Sequence, residues 1–139
     1  MRQIQSLSHA DAMLILETIR QRADADNAGI AVAIVDPFGE LIAFLRTDSC
    51  RLPSVQIAQN KAYSAARERI ESAELGRRSQ AKGFPMTNFG ELRYVTWGGG
   101  VPVQVDGQTV GAVGVSGLSE KEDIEYAQLG IEALLASLR

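Results

Sequence analysis

The sequence predicts an α+β fold: a single domain in which a five-stranded antiparallel sheet is packed with helices. Three observations carry this. Two apolar runs, Ile30–Val35 and Leu41–Arg46, are joined only by Asp36-Pro37-Phe38-Gly39-Glu40. So short a link demands antiparallel pairing, because a parallel return needs a crossover of a dozen residues or more. Asp106-Gly107 separates two further strand-like runs and is a strong hairpin signal. Apolar stripes at helical spacing stand near both ends of the chain. The 139 residues suit one domain spanning 1–139, which buries roughly 70% of its unfolded surface.

Each element has a local reason. Ser8 followed by Asp11 resembles a capping box, and Ile15, Leu16, Ile19 and Ala23 form the stripe of the first helix. Asn27 and Gly29 close it, since both tolerate the left-handed conformation of helix ends. Ile30–Val35 is continuously apolar and rich in β-branching, the mark of a strand covered on both faces. Asp36–Gly39 supplies turn chemistry, and Leu41–Arg46 returns as the second strand, with Arg46 on the face of Ile42 and Phe44. Pro53 can open the second helix. Its alanines, Ala58, Ala62, Ala65 and Ala66, make a face that a neighbour can approach closely.

The polar stretch from Arg67 to Gly83 finishes that helix and adds a short one. Gly83–Gly90 is irregular yet carries Phe84, Met86 and Phe89; so apolar a loop folds over the core or over a ligand. Tyr94–Trp97 reads as a short strand ended by Gly98-Gly99-Gly100. Val101, Val103 and Val105 alternate with polar positions, Pro102 placing this strand's start or a sheet edge, and Thr109–Ser116 returns from the hairpin. Ser119 with Glu122 caps the last helix, whose stripe is Ile124, Ala127, Ile131, Leu134 and Leu138.

Composition excludes several classes. The formal charge is −3 and no Lys/Arg run occurs, which argues against a grip on nucleic acid. No apolar stretch approaches the ~20 residues of a membrane span, and the N-terminus leads into a helix without an apolar signal core. The expectation is a soluble, cytoplasmic protein. One cysteine allows neither an internal disulfide nor a zinc site on paired thiolates.

The chemistry-bearing residues are few. A nucleophilic triad would need His9, the only imidazole. Gly114-Val115-Ser116-Gly117 departs from a nucleophile elbow because Leu118 stands where that motif needs glycine. Gly111, Gly114 and Gly117 lie within a strand and its exit, where glycine marks close approach of another backbone or a ligand. Arg46 and Lys61 are suited to a carboxylate at a pocket rim; alternatively each snorkels to solvent or pairs with Asp36, Asp48 or an acidic residue of the last helix. Donors for haem iron are His9, Cys50, Met86, Tyr63, Tyr94 and Tyr126, with His9 equally an ordinary surface residue. Glu120, Glu122, Asp123 and Glu125 complement a helix N-terminus, or else gather a metal.

Ile34-Val35-Asp36 with Gly39, Arg46-Thr47-Asp48, Ser54 with Ala58, and Lys61-Ala62-Tyr63-Ser64-Ala65 together resemble the front half of the GlcG/HbpS-like family. Gly98–Pro102, Asp106-Gly107, Gly111–Gly117 and Glu122-Asp123 resemble its back half, so the likeness runs from about residue 8 to 137. That family includes haem-binding proteins, the C-terminal domain of the PduO cobalamin adenosyltransferases and proteins from glycolate and aromatic catabolic operons. The resemblance implies a profilin-like fold, haem or another small anionic ligand, and homo-oligomers built from dimers, often tetramers or octamers. Its motif residues fall here on Asp36, Arg46, Asp48, Ser54, Lys61, Gly98, Gly99, Pro102, Ser116, Gly117 and Asp123.

Three functions follow as expectations. In a binding module, haem propionates meet Arg46 or Lys61, the ring lies against Phe84, Met86 or Phe89 beside Gly98, Gly99, Pro102 and Ser116, and His9 ligates iron. In a small enzyme of carboxylate catabolism, Arg46 orients the substrate and Lys61 or Asp123 moves a proton. In an interaction protein, the apolar loop is an interface.

Overall fold

A computed structural model describes all 139 residues. The elements are α1 (His9–Asp26), β1 (Ala31–Val35), β2 (Leu41–Arg46), α2 (Pro53–Glu68), α3 (Ser72–Lys82), a 3-10 turn (Met86–Phe89), β3 (Gly100–Val105), β4 (Gln108–Ser116) and α4 (Glu120–Ser137). Every strand pairing is antiparallel, in the order β2-β1-β4-β3.

The expected termini hold. Ser8 and Asp11 exchange both hydrogen bonds of a capping box, at 2.8 and 3.1 Å, and α1 ends on left-handed Asn27. Ser119 Oγ accepts from Glu122 N at 3.2 Å. Asp106 and Gly107 both take positive φ, 50° and 78°, the backbone of a tight hairpin turn that matches strand twist.

The sheet has four strands where five were expected. Tyr94–Trp97 does not pair with another strand, because serine hydroxyls on α2 and α3 hold its backbone instead. Ser64 Oγ accepts from Val95 N at 2.9 Å. Ser72 Oγ donates to the Trp97 carbonyl at 2.7 Å and accepts from Gly100 N at 2.9 Å. Gly76 of α3 lets this segment in, for a Cβ there would stand 2.5 Å from the Thr96 carbonyl oxygen. Backbone polar groups need partners, and side chains serve as well as a neighbouring strand.

Two cores result. On one face α1 and α4 cover Val32, Ile34, Val113 and Val115 with Ile15, Ile19 and Leu134. On the other, α2 lays Ala58, Ala62, Ala65 and Ala66 against Ala31, Ala33 and Ala112. The small face is what brings α2 close: a Cβ on Gly114 would lie 2.6 Å from Ala62 N. All of β1 is therefore buried, as its unbroken apolar run demands. The Arg46–Ile42 alternation is corrected by a register shift between Ile34 and Val35. Phe44 packs with the α2 core, whereas Ile42 joins the α1/α4 core.

Candidate functional site

The site grows from one lysine in an alanine-faced helix. Close approach of α2 to β3 and β4 buries Lys61 almost completely, and it is 3% exposed. Its Nζ donates to the Val115 carbonyl at 3.0 Å and to Asp123 Oδ2 at 3.1 Å. Asp123, 2% exposed in the first turn of α4, uses its second oxygen to accept from Leu118 N at 3.0 Å. Burial pushes the Asp123 carboxyl above the ordinary carboxylate range, against the pull of Lys61 and of the Leu118 N–H. Of the alternatives the sequence left open for Lys61, the structure realises pairing with an acid of the last helix.

The glycine run makes room for this pair. Gly99 adopts φ +125°, and a Cβ on it would sit 2.9 Å from Lys61 Nζ and 2.5 Å from the Val115 carbonyl oxygen. Its own carbonyl accepts from Val115 N at 3.0 Å, so β3 and β4 close over the lysine head.

Above the pair opens a cleft of about 480 Å³, whose lining includes Arg51, Ser54, Lys61, Trp97, Ser116 and Asp123. Gly98 and Glu120 form part of its rim. The start of α2, the end of β4 and the start of α4 thus converge at one end of the sheet. Arg51, Trp97 and Glu120 were not among the ligand residues read from the sequence. The available signal was position: Arg51 stands two residues before the helix-opening Pro53, and Trp97 directly before the glycines.

The structure brings Lys61, Gly98, Gly99 and Ser116 together and leaves the other candidates elsewhere. Arg46 is exposed at the end of β2. It shares a ladder row with Ala31 and Ser116, which sets it two strands, about 10 Å, from Ser116, and it does not line the cleft. Pro102, on the edge strand β3 as its missing N–H requires, pairs with Ala112 and does not line the cleft.

Phe84 and Phe89 fold onto the molecule's own aromatics, with Met86 half-buried at the start of the 3-10 turn between them. Phe84 and Phe89 lie 6.3 Å apart, Phe89 and Tyr94 4.7 Å, and Tyr94 and Tyr63 5.4 Å between ring centroids. Arg93 covers the Tyr63 ring at 4.0 Å. Tyr63 leaves α2 about 200° around the helix from Lys61, so this stack and the cleft occupy different sides of α2. His9 is exposed at the start of α1. Neighbouring Leu7 N bonds the Val110 carbonyl at 2.9 Å, six residues down β4 from Ser116, or about 20 Å.

Among the remaining donors, Tyr126 gives its proton to Asp26 Oδ2 at 2.5 Å, and burial pushes its phenol up to about 12. Tyr94 bonds Glu68 at 3.3 Å. The Cys50 thiol donates to the Arg51 carbonyl at 3.2 Å, and burial pushes it up. The acidic start of α4 turns Asp123 inward, and no three His, Cys, Asp or Glu side chains gather to hold a metal ion.

This geometry can be set beside known proteins. The model of the haem-degrading HbpS-like proteins matches residues 7–132. The chain belongs to the HbpS-like family. Protein GlcG of Escherichia coli is 39% identical over 117 residues, covering 79% of this chain and 81% of that protein. A crystal structure of a double mutant of Streptomyces reticuli HbpS is similar with a TM-score of 0.87 at 27% identity, over 96% of this chain and 90% of that one. The crystal structure of the PduOC–haem complex is similar with a TM-score of 0.84 at 28% identity, over 92% and 94%. No helix of this HbpS-like chain is long and apolar enough to cross a membrane.

Proposed function

We propose that this chain is a small-molecule binding protein whose ligand is haem. The observation that carries the reading is the likeness to a PduOC chain crystallised with haem, which extends over nearly the whole of both chains. Tyr126, Tyr94 and Cys50 are engaged in hydrogen bonds, and the cleft lining holds no imidazole, thiol, thioether or phenol. Tyr63 is 3% exposed beneath Arg93; of the two remaining donors whose side chains make no hydrogen bond, Met86 and His9, His9 offers the imidazole, exposed on α1. Met13 lies one turn further along α1 and is 52% exposed. Positions i and i+4 are neighbours on a helix, so an imidazole nitrogen and a soft apolar surface stand together. Bound there, haem would supply a redox-active iron, with His9 to hold it and Met13 beside it as apolar surface.

A haem on an exposed helix face needs a second wall. We further propose that another copy of the chain supplies it, in a dimer-based homo-oligomer. The enzyme alternative has no support in the comparisons. Hemin titrated into the purified protein gives a saturable Soret shift at fixed stoichiometry, and His9→Ala changes that spectrum. A linear, unsaturable spectrum overturns haem as the ligand; a His9→Ala spectrum equal to wild type overturns His9 as the iron's donor.

A further inference from the structure

The cleft over Lys61 lies about 20 Å from His9 along β4 and offers iron none of its usual ligands, so the haem reading leaves it without an occupant. We propose that it is a separate binding site for a small organic monocarboxylate.

Ser116 is the leading observation. It is 5% exposed and lines the cleft, yet its hydroxyl has no hydrogen-bond partner within the chain. No sealed side-chain oxygen or nitrogen in the molecule lacks a partner. The Ser116 oxygen therefore keeps accessible surface, at a residue that lines the cleft. Lys61 adds a second unspent donor, because an ammonium has three N–H bonds and Val115 and Asp123 take only two.

The charge arithmetic selects the guest. Lys61 and Asp123 cancel one another, which leaves Arg51 as the cation a ligand meets and Glu120 as the remaining anion of the lining. Arg51 is exposed and forms no ion pair, and α2 starts beside it with no side-chain cap on Leu52. A guanidinium fork matches the two oxygens of a carboxylate. Glu120 opposes a phosphate dianion more strongly than a monoanion. Trp97, 62% exposed, and Ile57 give the carbon body of the acid an apolar wall, and a further polar atom on it reaches Ser116.

Backbone amide NMR reads this directly, since Gly98, Gly117, Leu118 and the Trp97 indole all border the site. Sodium benzoate, with benzamide and sodium phosphate as controls, gives saturable shifts at these positions that the controls do not reproduce. Arg51→Gln weakens benzoate about tenfold; Ser116→Ala weakens 4-hydroxybenzoate, which carries the further polar atom, more than benzoate; and Arg78→Gln, the same charge change on α3, leaves both as in wild type. The spectrum itself shows that each variant is folded. Equal shifts from benzamide, wild-type affinity in Arg51→Gln, or shifts that never saturate overturn the proposal. Because hemin is absent from these titrations, their outcome is separate from that of the haem reading.

Discussion

At the scale of single residues, Lys61 and Asp123 show how a buried charge is tolerated. Taking either ion out of water costs several kcal/mol, offset only by close pairing and full hydrogen bonding. Pairing is close and hydrogen bonding nearly complete: Lys61 has two oxygen partners for its three N–H bonds, and each Asp123 oxygen has an N–H. Lys61→Met removes the cation and strands a carboxylate, and is expected to lower unfolding free energy by about 3–5 kcal/mol. Adding Asp123→Asn should restore more than half of this, because the amide oxygen still accepts from Leu118 N while the charge is gone. The sign with pH follows. In the single variant the folded carboxyl titrates well above its unfolded value, so its stability falls as pH rises from about 4 through the folded pKa, and the deficit shrinks in acid. Urea denaturation of the three proteins at two pH values tests this. A small, pH-independent loss in Lys61→Met would show that the pair is not the sealed unit described here.

At the scale of elements, α1 and α4 share a core and are also joined by a polar clamp, Tyr126 to Asp26. The phenol's hydrogen bond holds Asp26 below the usual carboxylate range, and burial holds Tyr126 up near 12. The two shifts bracket the clamp's working range. A phenol whose folded pKa is raised contributes stability that is complete below pH 10 and disappears as pH climbs towards 12. A carboxylate whose folded pKa is lowered contributes stability that disappears as pH falls below its unfolded value near 3.8. The stability difference between wild type and Tyr126→Phe should therefore form a plateau at neutral pH and shrink at both extremes. Absorbance titration of tyrosinate should lose its latest step in Tyr126→Phe. A difference flat from pH 3 to 12 contradicts the clamp.

At the scale of the whole molecule, the sheet ends in two open edges, β2 and β3. β2 is apolar from Leu41 to Leu45 and only half-buried along most of its length. Exposed Phe38, Leu41 and Leu52 belong to or flank β2. An open, apolar edge strand invites pairing or cover, which supports the proposed homo-oligomer. Light scattering should return a multiple of 15.0 kDa, and a strict monomer at micromolar concentration removes the second copy from the haem reading.

Much of this architecture was written locally. Ser8–Asp11, Asn27, Asp106-Gly107 and Ser119–Glu122 decided where helices begin or end and where the hairpin turns, because caps and turns depend on residues a few positions apart. The unbroken apolar run of β1 and the alanine face of α2 likewise announced a doubly covered strand and a close helix. Other features answer only to contacts between distant segments. Tyr94–Trp97 has strand-like residues, but its backbone bonds go to Ser64 and Ser72, and no local pattern reveals which partner reaches a backbone group first. For Lys61 the sequence left a ligand, solvent or an acid of the last helix as partners, and only the packing of α4, 62 residues on, brought Asp123 against it. Local residue patterns determined most of the elements and the motifs carried the family resemblance; only tertiary packing decided which charges neutralise each other and which hydroxyl faces open space, because electrostatics depends on distance and dielectric rather than on order along the chain.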